Sequence, residues 1–246
     1  MDAGTGARLG RAMLDSRLGA VASLVPPGSR VADIGTGHGL LPHRLLVSGR
    51  CVHCIATERT PLLLREVRSF PASHRLAGSL DLRAGDGLAA LQPDDRVDVV
   101  VAAGLGGPSI LAMLERSPVP CSRFARLVFQ PQTEPARLRR GLIELGLAIV
   151  AERLVRENGR FYLALAVEPR AEATLPAWPG LEPEEVLEAG PCLLREGHPL
   201  LVPFWREQVQ RLERILERAG RGSGLRTVQS RLELARRVLR VSIEGR

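Results

Sequence analysis

The sequence contains no lysine, and all 34 of its basic residues are arginine. A phosphate-binding P-loop needs a lysine directly after its last glycine, so this class of nucleotide site is excluded. Aromatic residues make up only 3% of the chain, too few for the wide stacking platforms that bind single-stranded nucleic acid. The chain also has no apolar run long enough to span a bilayer and no signal-peptide pattern at its start. We therefore expect a cytoplasmic protein that does not bind a membrane.

Cysteine is scarce as well, with four residues in the chain. Cys51 and Cys54 form a single C-x-x-C pair, whereas zinc sites of this type need a second pair of ligands. Because residues three apart on a regular strand point to opposite faces, we expect that these two thiols cannot bind one metal ion. The cysteines are predicted to be buried free thiols in a reducing compartment, and no metal site is expected.

Charge is unevenly distributed along the 246 residues. Residues 200–246 hold eleven arginines and five acidic residues, so they carry a net charge of +6 out of the total of +7. A local basic surface of this kind is typical of nucleic-acid binding. A solvated helical hairpin in which arginine outnumbers glutamate would give the same pattern. The remainder of the chain is long enough for one ordinary globular domain with a substantial core.

One stretch, residues 31–39 (VADIGTGHG), organises the rest of the chain. An apolar run ends at Asp33 and is followed by alternating glycines, which let the backbone turn tightly and approach a ligand. A dinucleotide fingerprint would need glycine at position 40, where the chain has Leu40. The remaining pattern, acid-x-Gly-x-Gly-x-Gly, is typical of S-adenosylmethionine (SAM) methyltransferases. There Asp33 can meet the ammonium of the methionine moiety, and Gly35, Thr36 and Gly37 make room for its body. An ordinary strand-to-helix turn is the alternative.

The chain then alternates strands and helices. Strands are predicted over 30–34, 51–56, 80–83, 97–102 and 126–129, and helices over 8–25, 40–47, 109–115 and 135–145, with a further helix opened by Thr60 and Pro61. Such alternation indicates a parallel sheet covered on both faces. Two further strands, 148–156 and 160–167, are joined through Asn158-Gly159, a strong hairpin signal. We therefore predict an α/β fold with a Rossmann-like, seven-stranded sheet that ends in an antiparallel hairpin, as in SAM methyltransferases.

The C-terminal third has a different pattern. Residues 169–203 are rich in proline and acid, and they are predicted to be a linker with one helical turn around 184–187. Residues 204–246 repeat apolar positions in alternating steps of three and four, the seam of a coiled coil, around a glycine-rich turn at 220–224. The seam positions are Trp205, Val209, Leu212, Leu216 and Ala219 before the turn and Leu225, Val228, Leu232, Ala235 and Leu239 after it. The predicted organisation is a methyltransferase domain with a basic N-terminal helix over 1–168, a linker over 169–203 and an antiparallel helical hairpin over 204–246. The hairpin could bind nucleic acid, or it could be a packing or dimerisation element.

Polar and glycine residues follow the predicted strands where ligands of parallel sheets bind. Glu58, beside Arg59, ends the second strand and could accept both ribose hydroxyls of SAM. Asp86, between Gly85 and Gly87, follows the third strand and could bind the adenine amino group. Ala103 and Gly104 follow the fourth strand, where the methyl group and its target would meet. Together these positions predict a SAM site.

At this point the chain resembles the bacterial tRNA adenine-22 N1-methyltransferase family. The resemblance covers nearly the whole chain, and the stretches that carry it are Ser16-Arg17-Leu18, Ala32-Asp33-Ile34-Gly35, His38 with Leu41-Pro42, Thr57-Glu58, Gly85-Asp86-Gly87-Leu88, Ala103-Gly104-Leu105-Gly106-Gly107, Gln130-Pro131, the strand around Tyr162 and Gly190-Pro191. Three positions depart from the family pattern: Leu40 stands where tyrosine is usual, Leu105 where methionine is usual and Gln132 where asparagine is usual.

The resemblance implies SAM-dependent methylation of N1 of an adenine in tRNA, at position 22. His38, Gly104, Gln130 and Pro131 are the candidates for the pocket of the target base. Basic residues on the first helix and the hairpin are the candidate RNA contacts: Arg11, Arg17, Arg206, Arg211, Arg214, Arg218, Arg221, Arg236, Arg237 and Arg240. A small-molecule methyltransferase with the hairpin as a dimer element, and a non-catalytic SAM- or RNA-binding relative, remain as alternatives. We expect a monomer rather than a dimer.

Overall fold

A computed structural model of the chain describes residues 16–69, 78–170, 173–218 and 225–245. The chain divides into two units, Met1–Ala173 and Thr174–Arg246. The strands of the first unit are β1 (Ser29–Ile34), β2 (Cys51–Glu58), β3 (Leu80–Ala84), β4 (Val99–Leu105), β5 (Arg126–Pro131), β6 (Leu147–Glu157) and β7 (Arg160–Pro169). Its helices are α1 (Arg17–Leu24), α2 (Leu40–Val47), α3 (Pro61–Ser69), α4 (Gly107–Glu115) and α5 (Pro135–Glu144).

The seven strands form one sheet in the order β3-β2-β1-β4-β5-β7-β6. The first five strands are parallel, and β7 runs antiparallel to both β5 and β6. Asn158 and Gly159 both have positive φ angles, of 50° and 75°, as a two-residue hairpin turn requires. The predicted fold class is therefore confirmed. The strands extend up to three residues beyond the predicted bounds at their carboxyl ends, because pairing continues into the polar turns.

Each face of the sheet packs on its own apolar cluster. On one face, Ile110 and Leu114 of α4 and Leu138 and Leu142 of α5 are buried against sheet residues such as Phe129. On the other face, α1 and α2 bury Val21, Leu24, Leu41 and Leu45 against Val31, Val101 and Val128. The predicted covering of both faces of the sheet is confirmed. Of the first helix, predicted over 8–25, the part before Ser16 lies outside the described residues.

The two cysteines of the C-x-x-C pair lie on the same face, contrary to the expectation from regular strand geometry. Cys51 and Cys54 are both buried free thiols in one apolar cluster. The register between β1 and β2 shifts from Ser29 opposite Cys51 to Arg30 opposite His53. Val52 is therefore the extra residue of a β-bulge, and a bulge moves every later side chain to the other face.

The second unit contains α6 (Pro183–Ala189), α7 (Pro191–Arg195), α8 (Leu201–Arg218) and α9 (Leu225–Glu244). The predicted linker therefore holds two helices and the start of a third. Its prolines open helices at the first position, where no amide hydrogen is needed. Glu182 and Glu185 form a capping box, and Val186 and Leu193 are buried.

Helices α8 and α9 pack against each other, and Glu213 on one forms an ion pair with Arg236 on the other at 2.7 Å. Of the predicted seam, Trp205, Leu212, Leu232 and Ala235 are buried. Val238 is buried more completely than the seam position Leu239, because α9 also contacts α6. Ala219 and the predicted turn at 220–224 lie outside the described residues. Across the described ranges, no helix is both long enough and apolar enough to cross a membrane.

Candidate active site

The carboxyl ends of β1 to β4 lie at one edge of the sheet and border two neighbouring clefts, which share Gly35. The smaller cleft has a volume of about 210 Å³, and its lining includes Arg17, Asp33, Thr36, His38, Gly104 and Gln132. The larger cleft has a volume of about 540 Å³, and its lining includes Glu58, Arg59, Gly85, Asp86, Gly87 and Met113. The structure thus brings together the residues that the sequence places at successive strand ends.

The glycine turn after β1 is fixed to the end of β2. The backbone N–H groups of Gly35 and Thr36 both donate to the carbonyl oxygen of Thr57 at 2.9 Å. Gly37 has a φ angle of 57°, and its N–H donates to Glu58 Oε2 at 3.1 Å. A Cβ atom at Gly35 or Gly37 would meet nothing within 4 Å, so the outer side of the turn is open to a ligand.

Asp33 is buried at the end of β1, with 3% of its surface exposed. Burial raises the pKa of its carboxyl group to about 7, and the nearby negative charge of Glu58 also raises it, whereas the side chain of Thr36 lowers it. Among the described residues no basic side chain forms an ion pair with Asp33. A cation bound in the smaller cleft would supply the missing opposite charge.

Glu58 and Asp86 face the larger cleft. Glu58 accepts from the N–H of Thr60 through Oε1 at 2.9 Å and from Gly37 through Oε2. Each carboxylate oxygen has two lone pairs, so Glu58 can accept further hydrogen bonds from a ligand. Asp86 is exposed beside Gly85, where a Cβ atom would lie 2.5 Å from the Cβ of Ala90. Glycine at position 85 therefore lets the loop after β3 fold closely beneath Asp86.

Arg17, one of the predicted RNA contacts, lines the smaller cleft. Its Nη1 donates to Gln130 Oε1 at 2.9 Å, and its guanidinium lies 5.9 Å from the ring centre of Tyr162. Gly104 has a φ angle of 81°, and a Cβ atom there would lie 3.8 Å from Arg17 Nη1. The absence of a side chain at position 104 thus leaves the guanidinium accessible beside the end of β4.

The candidates for the base pocket separate into two groups. His38 and Gly104 line the smaller cleft, and His38 is exposed, with Nδ1 3.2 Å from Glu66 Oε2. Gln130 and Pro131 are buried and are not among the residues that line these two clefts, so their place in a base pocket stays a prediction. Gln130 uses both ends of its amide, because Oε1 accepts from Arg17 and Nε2 donates to the carbonyl of Pro131 at 3.0 Å.

Several cleft residues were not predicted. Gln132 lies in the smaller cleft, two residues after Gln130, and its departure from the family pattern was the only sequence signal. Ser109 and Met113 of α4, and Arg116 directly after it, line the larger cleft. They share one helix face and belong to no motif, so the sequence alone did not mark them.

The basic residues of the second unit differ in their partners. Arg237 Nε lies 2.6 Å from Glu185 Oε1, and Arg236 pairs with Glu213. Arg214 donates through Nε to the carbonyl of Gln210 within its own helix. Four other candidates are exposed and form no ion pair within the described part of the chain: Arg206, Arg211, Arg218 and Arg240. Arg11 and Arg221 lie outside the described residues.

No group of three or more His, Cys, Asp or Glu side chains in the described ranges is arranged to hold a metal ion.

Comparisons with known proteins point to one family. A family model described as tRNA (adenine(22)-N(1))-methyltransferase matches residues 31–242. The tRNA (adenine(22)-N(1))-methyltransferase of Bacillus subtilis is 26% identical over 233 residues, which are 92% of this chain and 97% of that protein.

Solved structures agree with the sequence match. The crystal structure of the B. subtilis enzyme superimposes with a TM-score of 0.76 over 92% of this chain and 98% of that chain, at 26% identity. A Streptococcus pneumoniae protein crystallised in complex with S-adenosyl-L-methionine is 30% identical, with a TM-score of 0.78 over 91% of this chain and 98% of that chain. Because the family model spans both the sheet and the C-terminal helices, the chain belongs to the tRNA (adenine(22)-N(1))-methyltransferase family.

Proposed function

We propose that this protein transfers the methyl group of SAM to N1 of an adenine in tRNA, at position 22. The observation that carries the proposal is the placement of Asp33, Glu58 and Asp86 at three neighbouring strand ends around the two clefts. They occur in a chain that a family model of this activity matches over residues 31–242. A small-molecule methyltransferase is less consistent with that match.

The residues present fit SAM as cofactor. The buried carboxyl of Asp33, which no described basic side chain pairs with, suits the α-ammonium group. The open backbone of Gly35, Thr36 and Gly37 suits the methionine body, and Glu58 has lone pairs for the ribose hydroxyls. The adenine end would be bordered by a second group of residues: Arg59, Gly85, Asp86 and Gly87. Ala103 and Gly104 would border the methyl end.

The protein's contribution to the chemistry is positioning. Bound SAM supplies an electrophilic methyl group. N1 of adenine has an in-plane lone pair that is unprotonated at neutral pH, so the site needs no general base. His38, Gly104 and Gln132 line the cleft where the target base would enter, and they would orient the base and exclude water. Because N1 lies on the Watson–Crick edge, the adenine must be unpaired or flipped out.

The C-terminal helices would supply RNA affinity. The exposed residues Arg206, Arg211, Arg218 and Arg240 are the best candidates for phosphate contacts, because no acidic side chain in the described ranges pairs with them. Arg236 and Arg237 are engaged with Glu213 and Glu185 and are weaker candidates. We further propose a monomer that requires no metal ion and acts in the cytoplasm, where its tRNA substrate is found.

The proposal is tested by incubating the protein with labelled SAM and unmodified bulk tRNA and analysing the nucleosides. We expect 1-methyladenosine, and we expect its loss when a tRNA with guanine at position 22 replaces the adenine-containing one. Glu58→Ala is the negative control, and Asp94→Ala, an exposed acid outside both clefts, is the matched control. A neutral N6-methyl product or a methylated guanine would reject the proposal, and SAM binding without methylation of any tRNA would favour the non-catalytic alternative.

A further inference from the structure

Two opposite charges without ion-pair partners line the same small cleft. Asp33 is buried at the end of β1, and the guanidinium of Arg17 lies at the start of α1. Neither forms an ion pair with any other side chain of the described residues. Unpaired charges in a partly closed site are costly unless a ligand compensates them. A cleft with one free anion and one free cation is complementary to a zwitterion.

The space between these two charges is partly apolar. Leu18 and Leu41 line the smaller cleft together with Arg17 and Asp33. The amino-acid end of SAM has the corresponding chemistry, with an α-ammonium, an α-carboxylate and a short aliphatic chain. Asp33 can compensate only the ammonium, so the carboxylate needs a separate cationic donor. Arginine suits a carboxylate because its planar fork offers two parallel N–H donors.

We propose that Arg17 binds the α-carboxylate of SAM, opposite the ammonium held by Asp33, and that Gln130 is the positioning residue for Arg17. The inference rests on the proposed use of SAM, and it assigns to Arg17 a role other than contact with RNA phosphates. A phosphate at this position would share the cleft with Asp33 and be repelled by it.

Gln130 has the geometry of a positioning residue. It is 1% exposed, and its amide orientation is fixed because Nε2 donates to the carbonyl of Pro131. Its Oε1 therefore points at Arg17 Nη1, and this bond leaves Nε and Nη2 of the guanidinium for a ligand. The ring of Tyr162 supports the guanidinium at 5.9 Å. These contacts hold the cation in place before the ligand arrives, which lowers the entropic cost of binding.

The test compares SAM with its decarboxylated analogue, which retains the ammonium, the sulfonium and the adenosine. Calorimetric titration should show that the wild-type protein prefers SAM about tenfold or more, because a charge-assisted bond to a carboxylate is lost in the analogue. In Arg17→Gln the ratio of the affinity for SAM to the affinity for the analogue should fall toward one, while the affinity for the analogue stays within about twofold of the wild-type value. Gln130→Leu should lower the preference in part. Arg96→Gln, an exposed arginine outside both clefts, should leave it unchanged.

An unchanged preference for SAM in both Arg17→Gln and Arg17→Met would overturn the inference. It would also be overturned if these variants lost affinity for SAM and for the analogue to the same extent. A loss of tRNA affinity with the ligand preference intact would assign Arg17 to RNA instead and also overturn it. The proposed function has a separate readout. A protein that shows the Arg17-dependent preference and yet methylates no tRNA would support the carboxylate contact and reject the methyltransferase proposal.

Discussion

Glu58 Oε2 accepts a hydrogen bond of 3.1 Å from the backbone N–H of Gly37. This bond joins the end of β2 to the glycine turn that follows β1, so one carboxylate both shapes the turn and faces the larger cleft.

The first prediction follows from this double role. Glu58→Ala should lower SAM affinity about tenfold or more, because hydrogen bonds to a charged group contribute roughly 1.5–3 kcal/mol. Asp86→Ala should also weaken binding. Isothermal titration that gives unchanged affinity in both variants would contradict the site.

The second prediction concerns the stability of the ligand-free protein. The pKa of Asp33 rises from 3.8 to about 7 on folding, so between these pH values the folded state binds more protons than the unfolded state. The free energy of unfolding must therefore fall as pH rises from about 4 to 7. Asp33→Asn removes the group whose ionisation lowers the free energy of unfolding. The variant should therefore be more stable than the wild type at pH 8, by up to about 4 kcal/mol, and should differ little from it at pH 4.

Denaturant titrations at the two pH values measure this difference. Asp94→Asn, which changes an exposed acid outside both clefts, is the matched control and should have no effect at either pH. An Asp33→Asn variant that is destabilised equally at pH 4 and pH 8 would show that the carboxyl group is stabilising in both protonation states.

The third prediction is a pH dependence of ligand binding. Only the ionised form of Asp33 attracts an ammonium group, so SAM affinity should rise as pH increases through 7. It should decline above about pH 8, where an α-amino group loses its proton. Binding measured at constant ionic strength should thus give a bell-shaped profile. In Asp33→Asn the rising limb should be absent, and a wild-type profile that is flat from pH 6 to pH 8 would refute the prediction.

The fourth prediction concerns the C-terminal helices. Each arginine that contacts a phosphate releases counterions, so its removal should lower the salt dependence of tRNA binding by roughly one unit of slope. At least one of the substitutions of Arg206, Arg211, Arg218 and Arg240 by glutamine should lower the slope in this way. Arg96→Gln, which changes an exposed residue in the loop before β4, should leave the slope unchanged. If none of the four variants changes the slope, the helices are a packing or dimerisation element.

Much of this architecture is encoded in local sequence signals. The alternation of strands and helices, the glycine turn after Asp33 and the Asn158-Gly159 hairpin each depend on residues close in sequence, and the structure has all three. The same holds for the acidic residues at strand ends, since parallel strands bring their carboxyl ends to one edge.

The features that the sequence did not predict depend on contacts distant in sequence. Val52 becomes a bulge through the pairing of β2 with β1, and no local pattern marks it. The contact of Gln130 with Arg17 joins residues 113 positions apart, so no local sequence pattern marks it. The prolines of the second unit suggested a linker, whereas burial of Val186 and Leu193 stabilises helices that begin with proline.

Gly107 determines how the rim of the active site can vary. Its N–H donates to the carbonyl of Thr133 at 3.0 Å, and a Cβ atom there would lie 2.8 Å and 2.9 Å from the carbonyl oxygens of Glu134 and Thr133. The loops after β4 and β5 thus touch backbone to backbone, with no side chain between them. Leu105 and Gln132, two of the positions that depart from the family pattern, lie where these loops begin, at the last residue of β4 and the first residue after β5. An exchange of either side chain therefore alters the lining of a cleft, the larger one at Leu105 and the smaller one at Gln132, without breaking the backbone contact that joins the two loops.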